Sequence, residues 1–92
     1  MGPVTQAIRD KLTAAFQPSR LDVIDDSARH AGHAGAPKGG GESHFNVVIV
    51  SDVFEGQGRI QRQRAVYGAL SEELAGPVHA LSVKAFAPGE PA

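Results

Sequence analysis

Cysteine is absent from this chain of 92 residues. That removes disulfides, thiol catalysis and any self-contained thiolate metal site. Metal ligands must then be histidine or carboxylate, or come from a partner. An excess of one charge is absent too: nine Lys and Arg stand against ten Asp and Glu. Near-neutrality argues against a strong non-specific nucleic-acid binder, although it leaves room for a local basic face. Aromatic residues make up only 5%, too few for a ring-lined surface on which bases would stack. No apolar run reaches the length of a membrane span. The segment 4–16 is interrupted by Arg9, Asp10 and Lys11, so it does not read as a signal peptide. Gln6 stands where a myristoylation signal needs Ser or Thr. The expected compartment is therefore the cytoplasm.

Enzyme signatures are missing as well. The chain has no nucleophile elbow, phosphate loop or dinucleotide fingerprint. Asp25 and Asp26 are adjacent carboxylates, but neighbours on a strand point to opposite faces, so turn formation is the simpler reading. The expectation is a protein that is not an enzyme. A chain of this size forms a single domain, 1–92, that buries roughly 60–65% of its unfolded surface.

What is present centres on Ser43–Asp52. Val47, Val48, Ile49 and Val50 stand in a row, which predicts a central strand buried on much of both faces. Before it, Val4, Ile8, Leu12, Ala15 and Phe16 recur at helical spacing and predict a helix over 4–16, with Pro3 in its first turn and Pro18 as its stop. Leu21 and Val23 alternate with Asp22 and Ile24, predicting an edge strand over 21–26. After the central strand, Phe54 is the one large apolar residue of the turn region 52–59 and is expected to plug the sheet edge or a helix base. Ile60, Val66, Tyr67, Leu70 and Leu74 predict a second helix over 60–74, ended by Gly76-Pro77. Leu81, Val83 and Ala85 alternate in a last strand placed over 78–88, followed by a frayed tail, 89–92. The order is helix, strand, strand, helix, strand. The first two strands are expected antiparallel. The helical crossover makes the second and third parallel, with both helices on one face of a three-stranded mixed sheet. The fold class is α+β. Leu12, Phe16, Val47, Ile49, Val66, Tyr67, Leu70, Leu81 and Val83 are the expected core. The sheet's other face, with Ile24, Val48, Val50 and Phe86, is only partly apolar and is expected to meet solvent or a partner.

Between the first two strands lies a flexible loop, 27–42, with five glycines and two histidines, His30 and His33. Connections this long without structure of their own are usually functional or disordered. His44 and His79 stand at the starts of the second and third strands. Parallel pairing puts those starts at one end of the sheet, where the loop also enters, so all four histidines can gather there. Neutral imidazole suits Zn, Cu or one iron of a cluster. A histidine at a strand start is more often a hydrogen-bonded structural residue, and for His44 that reading is preferred.

Arg59, Arg62 and Arg64 open the second helix, and Lys84 lies on the last strand. They are the candidate phosphate contacts, with a solvated, ion-paired helix face as the plainer alternative. A KH-type nucleic-acid reader needs a Gly-x-x-Gly loop between helices. Here the turn is Gly56-Gln57-Gly58, one residue short, and Gly32-His33-Ala34-Gly35 falls in the hairpin loop instead.

Several segments in this order resemble the BolA family over nearly the whole chain: Ala7-Ile8-Arg9-Asp10-Lys11-Leu12, Asp26-Ser27 with His30, and Glu42-Ser43-His44-Phe45-Asn46-Val47 through Val50-Ser51. Phe54-Glu55-Gly56, Arg62-x-Arg64-x-Val66-Tyr67, Leu70-x-x-Glu73-Leu74 and Val78-His79-Ala80-Leu81 follow. The resemblance implies a class II KH-like fold and partnership with a monothiol glutaredoxin in iron–sulfur cluster handling. It implies a [2Fe-2S] cluster shared with the glutaredoxin and glutathione, and not held by the isolated protein. Family members ligate that cluster through a loop histidine or cysteine and the histidine of the Val-His-Ala-Leu segment. The matching positions are His30 and His79, and His33 is a further loop candidate. The protein is then a monomer alone and a heterodimer with its partner. Some family members are described as DNA-binding transcriptional regulators of morphology and stress genes, which makes that the alternative function, with weak DNA binding expected. One departure is Arg62-Gln63-Arg64 where the family usually shows Arg-His-Arg, so this chain does without that histidine's charge.

Overall fold

In a computed structural model the protein is described over residues 2–26 and 43–90. The loop 27–42, with His30 and His33, and the last two residues of the tail lie outside the described residues. Helix α1 spans Pro3–Phe16 and buries Thr5, Ile8, Leu12 and Phe16. Ala15, expected on that stripe, is exposed, because the buried spacing runs through Thr5 instead. The helix ends at Gln17 in the left-handed region (φ 45°, ψ 56°), whose N–H donates to the Thr13 carbonyl. Pro18 then prevents continuation.

Strand β1 (Arg20–Asp25) pairs antiparallel with β2 (His44–Val50), and β2 pairs parallel with β3 (Ala80–Phe86). The sheet order is β1-β2-β3. Phe45, Val47 and Ile49 are fully buried on the helix side, while His44, Asn46, Val48 and Val50 are half-buried on the other. β2 is therefore buried on one face rather than both, because only one layer of helices covers the sheet. On the open face Ile24 is 54% exposed.

After β2 a 3-10 turn, Asp52–Phe54, sends Phe54 into the core, completely buried against Phe16 with ring centroids 5.2 Å apart. The expected single second helix is two: α2 (Arg59–Ala69) and α3 (Ser71–Ala75). The break falls at Leu70 (φ −108°, ψ 21°), whose side chain is buried and whose N–H is shared between the Val66 and Tyr67 carbonyls. Gly68, two residues earlier, weakens helical propensity there. Ile60, expected on the buried stripe, is 67% exposed in the first turn of α2. The last strand is shorter than expected. Val78 is buried ahead of it with its N–H on the Glu73 carbonyl at 3.0 Å, which bends the chain before pairing begins. Tyr67 and Leu81, expected in the core, pack against it only partly buried, and Ile8, Phe45, Val78 and Ala87 complete it. Lys11 reaches from α1 to Glu73 of α3 at 2.7 Å. The hydrogen bond from Glu73 raises the lysine's pKa above its ordinary value.

Candidate functional site

The parallel register His44↔Ala80 puts the starts of β2 and β3 side by side. Ser43, buried just ahead of β2, joins them: its carbonyl accepts the N–H of His79 at 2.7 Å and of Ala80 at 3.2 Å. With the Val78 N–H on Glu73, three successive backbone donors fix the chain around His79. Its imidazole, by contrast, is exposed. A backbone held this firmly under a solvent-facing ring lowers the ordering cost of any contact that ring makes. His44 is half-buried, and its Nδ1 lies 2.9 Å from the Ser43 hydroxyl. That is the structural role expected for it.

At the same sheet end the Asp26 N–H donates to the His44 carbonyl at 2.7 Å. Asp26, at the end of β1, and Ser43, whose carbonyl holds His79, thus lie at the same end of the sheet, on the two sides of the start of β2. The positions of His30 and His33 lie outside the described residues. Among the described residues no three His, Cys, Asp or Glu side chains cluster as a metal site. Among the described residues this end offers the exposed His79, with His44 half-buried beside it.

The arginine candidates separate. Arg62 has only 13% of its side chain exposed. Its Nε donates to the Gln57 carbonyl at 2.9 Å and its Nη1 to the Ala85 carbonyl at 3.1 Å. Nη1 and Nη2 hold the Glu90 carboxylate bidentately at 2.6 and 2.9 Å. Arg62 is therefore a structural pin between α2, β3 and the tail, not an available phosphate contact. The bonded carboxylate raises its pKa, and Arg62, helped by the Ala87 N–H, lowers that of Glu90 to about 2. Arg59, Arg62 and Lys84 line a cavity of about 510 Å³ between α2 and β3, and Arg64 does not. Glu90, expected in a frayed tail, is the residue that sequence reasoning missed. The Pro88-Gly89 turn ahead of it was the available signal.

A three-stranded mixed sheet with helices on one face, and a histidine presented where β3 begins, define a class of small α+β domain. The chain belongs to the BolA family: its residues 12–90 match the family described as BolA-like protein. It is 50% identical over 90 residues to BolA-like protein 1 of Bos taurus, covering 98% of this chain and 63% of that one. It therefore spans less than two thirds of that relative. It is 46% identical over 83 residues to the DNA-binding transcriptional regulator BolA of Escherichia coli (strain K12), covering 90% of this chain and 74% of that one. The structure superposes on the BolA domain of SufE1 from Arabidopsis thaliana with a TM-score of 0.86 at 42% identity, covering 99% of both chains. No helix among the described residues is long and apolar enough to cross a membrane.

Proposed function

We propose that this protein is a non-enzymatic adaptor in iron–sulfur cluster trafficking. It binds a monothiol glutaredoxin, in the cytoplasm as the default compartment, and shares a [2Fe-2S] cluster with it and glutathione. The observation that carries this reading is the exposed His79 on a backbone fixed by Ser43 and Glu73. It stands at the end of the sheet where β1 finishes and β2 begins. His30 follows Asp26 by four residues, a length of chain that spans at most about 14 Å. His79 supplies one imidazole and His30, or His33, the other, while the glutaredoxin and glutathione supply the two thiolates. Two histidines on one iron and two thiolates on the other is a known ligand division for such clusters. The cluster is cargo, passing through a centre that neither protein completes alone.

The test is reconstitution with a monothiol glutaredoxin and glutathione, read by visible circular dichroism. The wild-type chain should give a mixed complex with histidine ligation, and His79→Ala should lose that signature. A His79→Ala complex with the wild-type spectrum and stoichiometry would overturn the assignment.

The name of the Escherichia coli relative favours a second reading, a DNA-binding regulator using Arg59 and Lys84, with Arg64 nearby. Arg62 contributes little to it while paired with Glu90. Such binding should be weak and should fall with salt at a log–log slope of about −0.9 per phosphate contacted. Filter binding of duplex DNA across a salt series checks this.

A further inference from the structure

The sheet's edge at β3 is closed by side chains: the Tyr67 hydroxyl caps the Leu81 carbonyl at 3.1 Å, and Arg62 caps that of Ala85. Its open face is not closed. There Ile24 is 54% exposed, beside half-buried Val48, Val50 and Phe86. The register orders this face in cross-strand rows. Asp22, Val48 and Lys84 form the middle row, with Arg20, Val50 and Phe86 on one side of it and Ile24, Asn46 and Ser82 on the other. The middle row carries opposite charges at its two ends. Both contacts from Arg20 fall on Asp22 Oδ2, at 3.0 and 2.9 Å, and leave Oδ1 open to a further donor. Lys84 is exposed and forms no ion pair with a described residue. β2 lies between the two strands that carry them, which stand about 9.6 Å apart, and no ion pair closes between them within the chain.

We propose that the open face docks a second copy of this chain, sheet to sheet, about a two-fold axis parallel to β2. Rotation about that axis keeps each row at its own height and exchanges the β1 and β3 sides. Asp22 of each copy then meets Lys84 of the other, in two symmetric ion pairs that flank a contact of Val48 with Val48. In the neighbouring rows Val50 meets Val50 and Arg20 lies over the Phe86 ring, while the two Asn46 amides, each both donor and acceptor, bond one another. A two-fold axis across the strands at the same row would set Asp22 on Asp22 and Lys84 on Lys84. The charge pattern therefore selects the first arrangement. Sheets packed in this way stand about 10 Å apart, with strands within about 30° of aligned. A second copy is favoured over an unrelated partner because one patch supplies both halves of the match, as a two-fold contact requires. A face three strands wide and three rows long buries less than about 1,200 Å² in total, the range of weak encounters, so the dimer exchanges with monomer. The proposal stands apart from the cluster reading, since His79 lies outside the three rows.

The experiment follows the isotope-labelled full chain by sedimentation equilibrium and backbone amide shifts, from about 10 μM to about 1 mM. Wild type should self-associate over that range, and the amides of 22–24, 46–50 and 82–86 should move with concentration. Added salt should weaken the association. Asp22→Lys and Lys84→Glu should each weaken it about tenfold or more, because each sets like charges in both ion-pair positions. Mixed in equal amounts, the two variants should associate one to one, about tenfold or more tighter than either alone, since the mixture restores opposite charges at both positions. Lys84→Glu, at an exposed position, keeps the test decisive if Asp22→Lys fails to fold. A wild type that stays monomeric throughout, an unchanged Lys84→Glu, a mixture of folded variants no tighter than either alone, or concentration-dependent shifts elsewhere in the chain would overturn the proposal. A monomer whose same amides move only when a monothiol glutaredoxin is added would also overturn it and assign the face to that partner.

Discussion

Ser51→Ala should be among the most damaging single-atom deletions in this domain. Ser51 is 1% exposed. Its hydroxyl donates to the Phe16 carbonyl at 2.6 Å and accepts from the Val53 N–H at 3.2 Å, while its own N–H donates to the Phe86 carbonyl at 3.0 Å. One residue thus ties the end of α1, the 3-10 turn and the end of β3 together. The Phe16 carbonyl belongs to the last turn of α1, where no intrahelical donor follows. Removing the hydroxyl leaves that carbonyl unpaired, at about 1–3 kcal/mol, and strips the turn of its cap, at about 0.5–2 kcal/mol. The hydroxyl's own desolvation cost disappears and offsets part of this, so the expected loss is about 2–3 kcal/mol. Against the roughly 5–15 kcal/mol that holds a small domain, that is a large share. At a urea slope of about 1–1.5 kcal/mol/M, the midpoint should fall by about 2 M. Ser82→Ala, exposed on the open face, should stay within about 0.5 kcal/mol of wild type. A Ser51→Ala loss below about 0.5 kcal/mol would refute the reasoning, since the orphaned carbonyl would then have found a partner that the fold does not provide.

Gln17→Gly should raise stability by about 0.5–1 kcal/mol, because Gln17 sits at φ 45°, where a side chain costs about 1–2 kcal/mol and glycine recovers most of it; an unchanged thermal midpoint would show that this strain is absent. Glu90 has a folded pKa of about 2 against an ordinary 4.5. It therefore contributes stability that is complete above pH 4.5 and lost as pH falls toward 2. Wild type should lose more stability than Glu90→Gln over that interval in acid titrations of the urea midpoint, and parallel curves would contradict the ion pair. Ile49→Ala, at a completely buried position, should cost about 2–5 kcal/mol in equilibrium unfolding, and a cost under about 1 kcal/mol would mean the site collapses without strain.

The parts of the fold legible in the sequence were those with a regular period and a local stop signal. Ile8, Leu12 and Phe16 keep helical spacing up to Pro18, and Val47 and Ile49 keep strand spacing up to Ser51. The parallel neighbourhood of β2 and β3 also followed, from chain order and the handed crossover. That placed His79 beside His44 at one sheet end, as the register shows. The break at Leu70 was not legible, because the buried positions Val66 and Leu70 keep helical spacing across it. The exposure of Ile60 was not legible either, since nothing local says that this residue in the first turn of α2 stays out of the core. Both are decided by tertiary packing. Glu90 was missed for a related reason: a Pro-Gly turn near a terminus predicts a reversal, but only the folded sheet shows that the reversal delivers a carboxylate to Arg62.

β3 carries two different chemistries at its two ends, and its length keeps them apart. His79 precedes the first strand residue, and the Ala87 N–H follows the last. Eight residue steps from His79 to Ala87, at about 3.3 Å each, separate the ends by roughly 26 Å. Each end is tied down by a different buried serine of the central strand's flanks. Ser43 holds the histidine end through its carbonyl, and Ser51 holds the far end through its backbone N–H on Phe86. Perturbations at sites this far apart with no shared partner add independently. A ligand taken at His79 can therefore be held without disturbing the Arg62–Glu90 pair at the far end. The consequence is that the single variant Glu90→Gln should leave the cluster spectrum of the glutaredoxin complex unchanged, while His79→Ala should leave the acid dependence set by the Arg62–Glu90 pair unchanged. Coupling between the two would require β3 to move as a lever. Both of its ends are pinned to β2, and the Arg62 and Tyr67 caps hold its edge to α2, so the fold gives such a lever no free end.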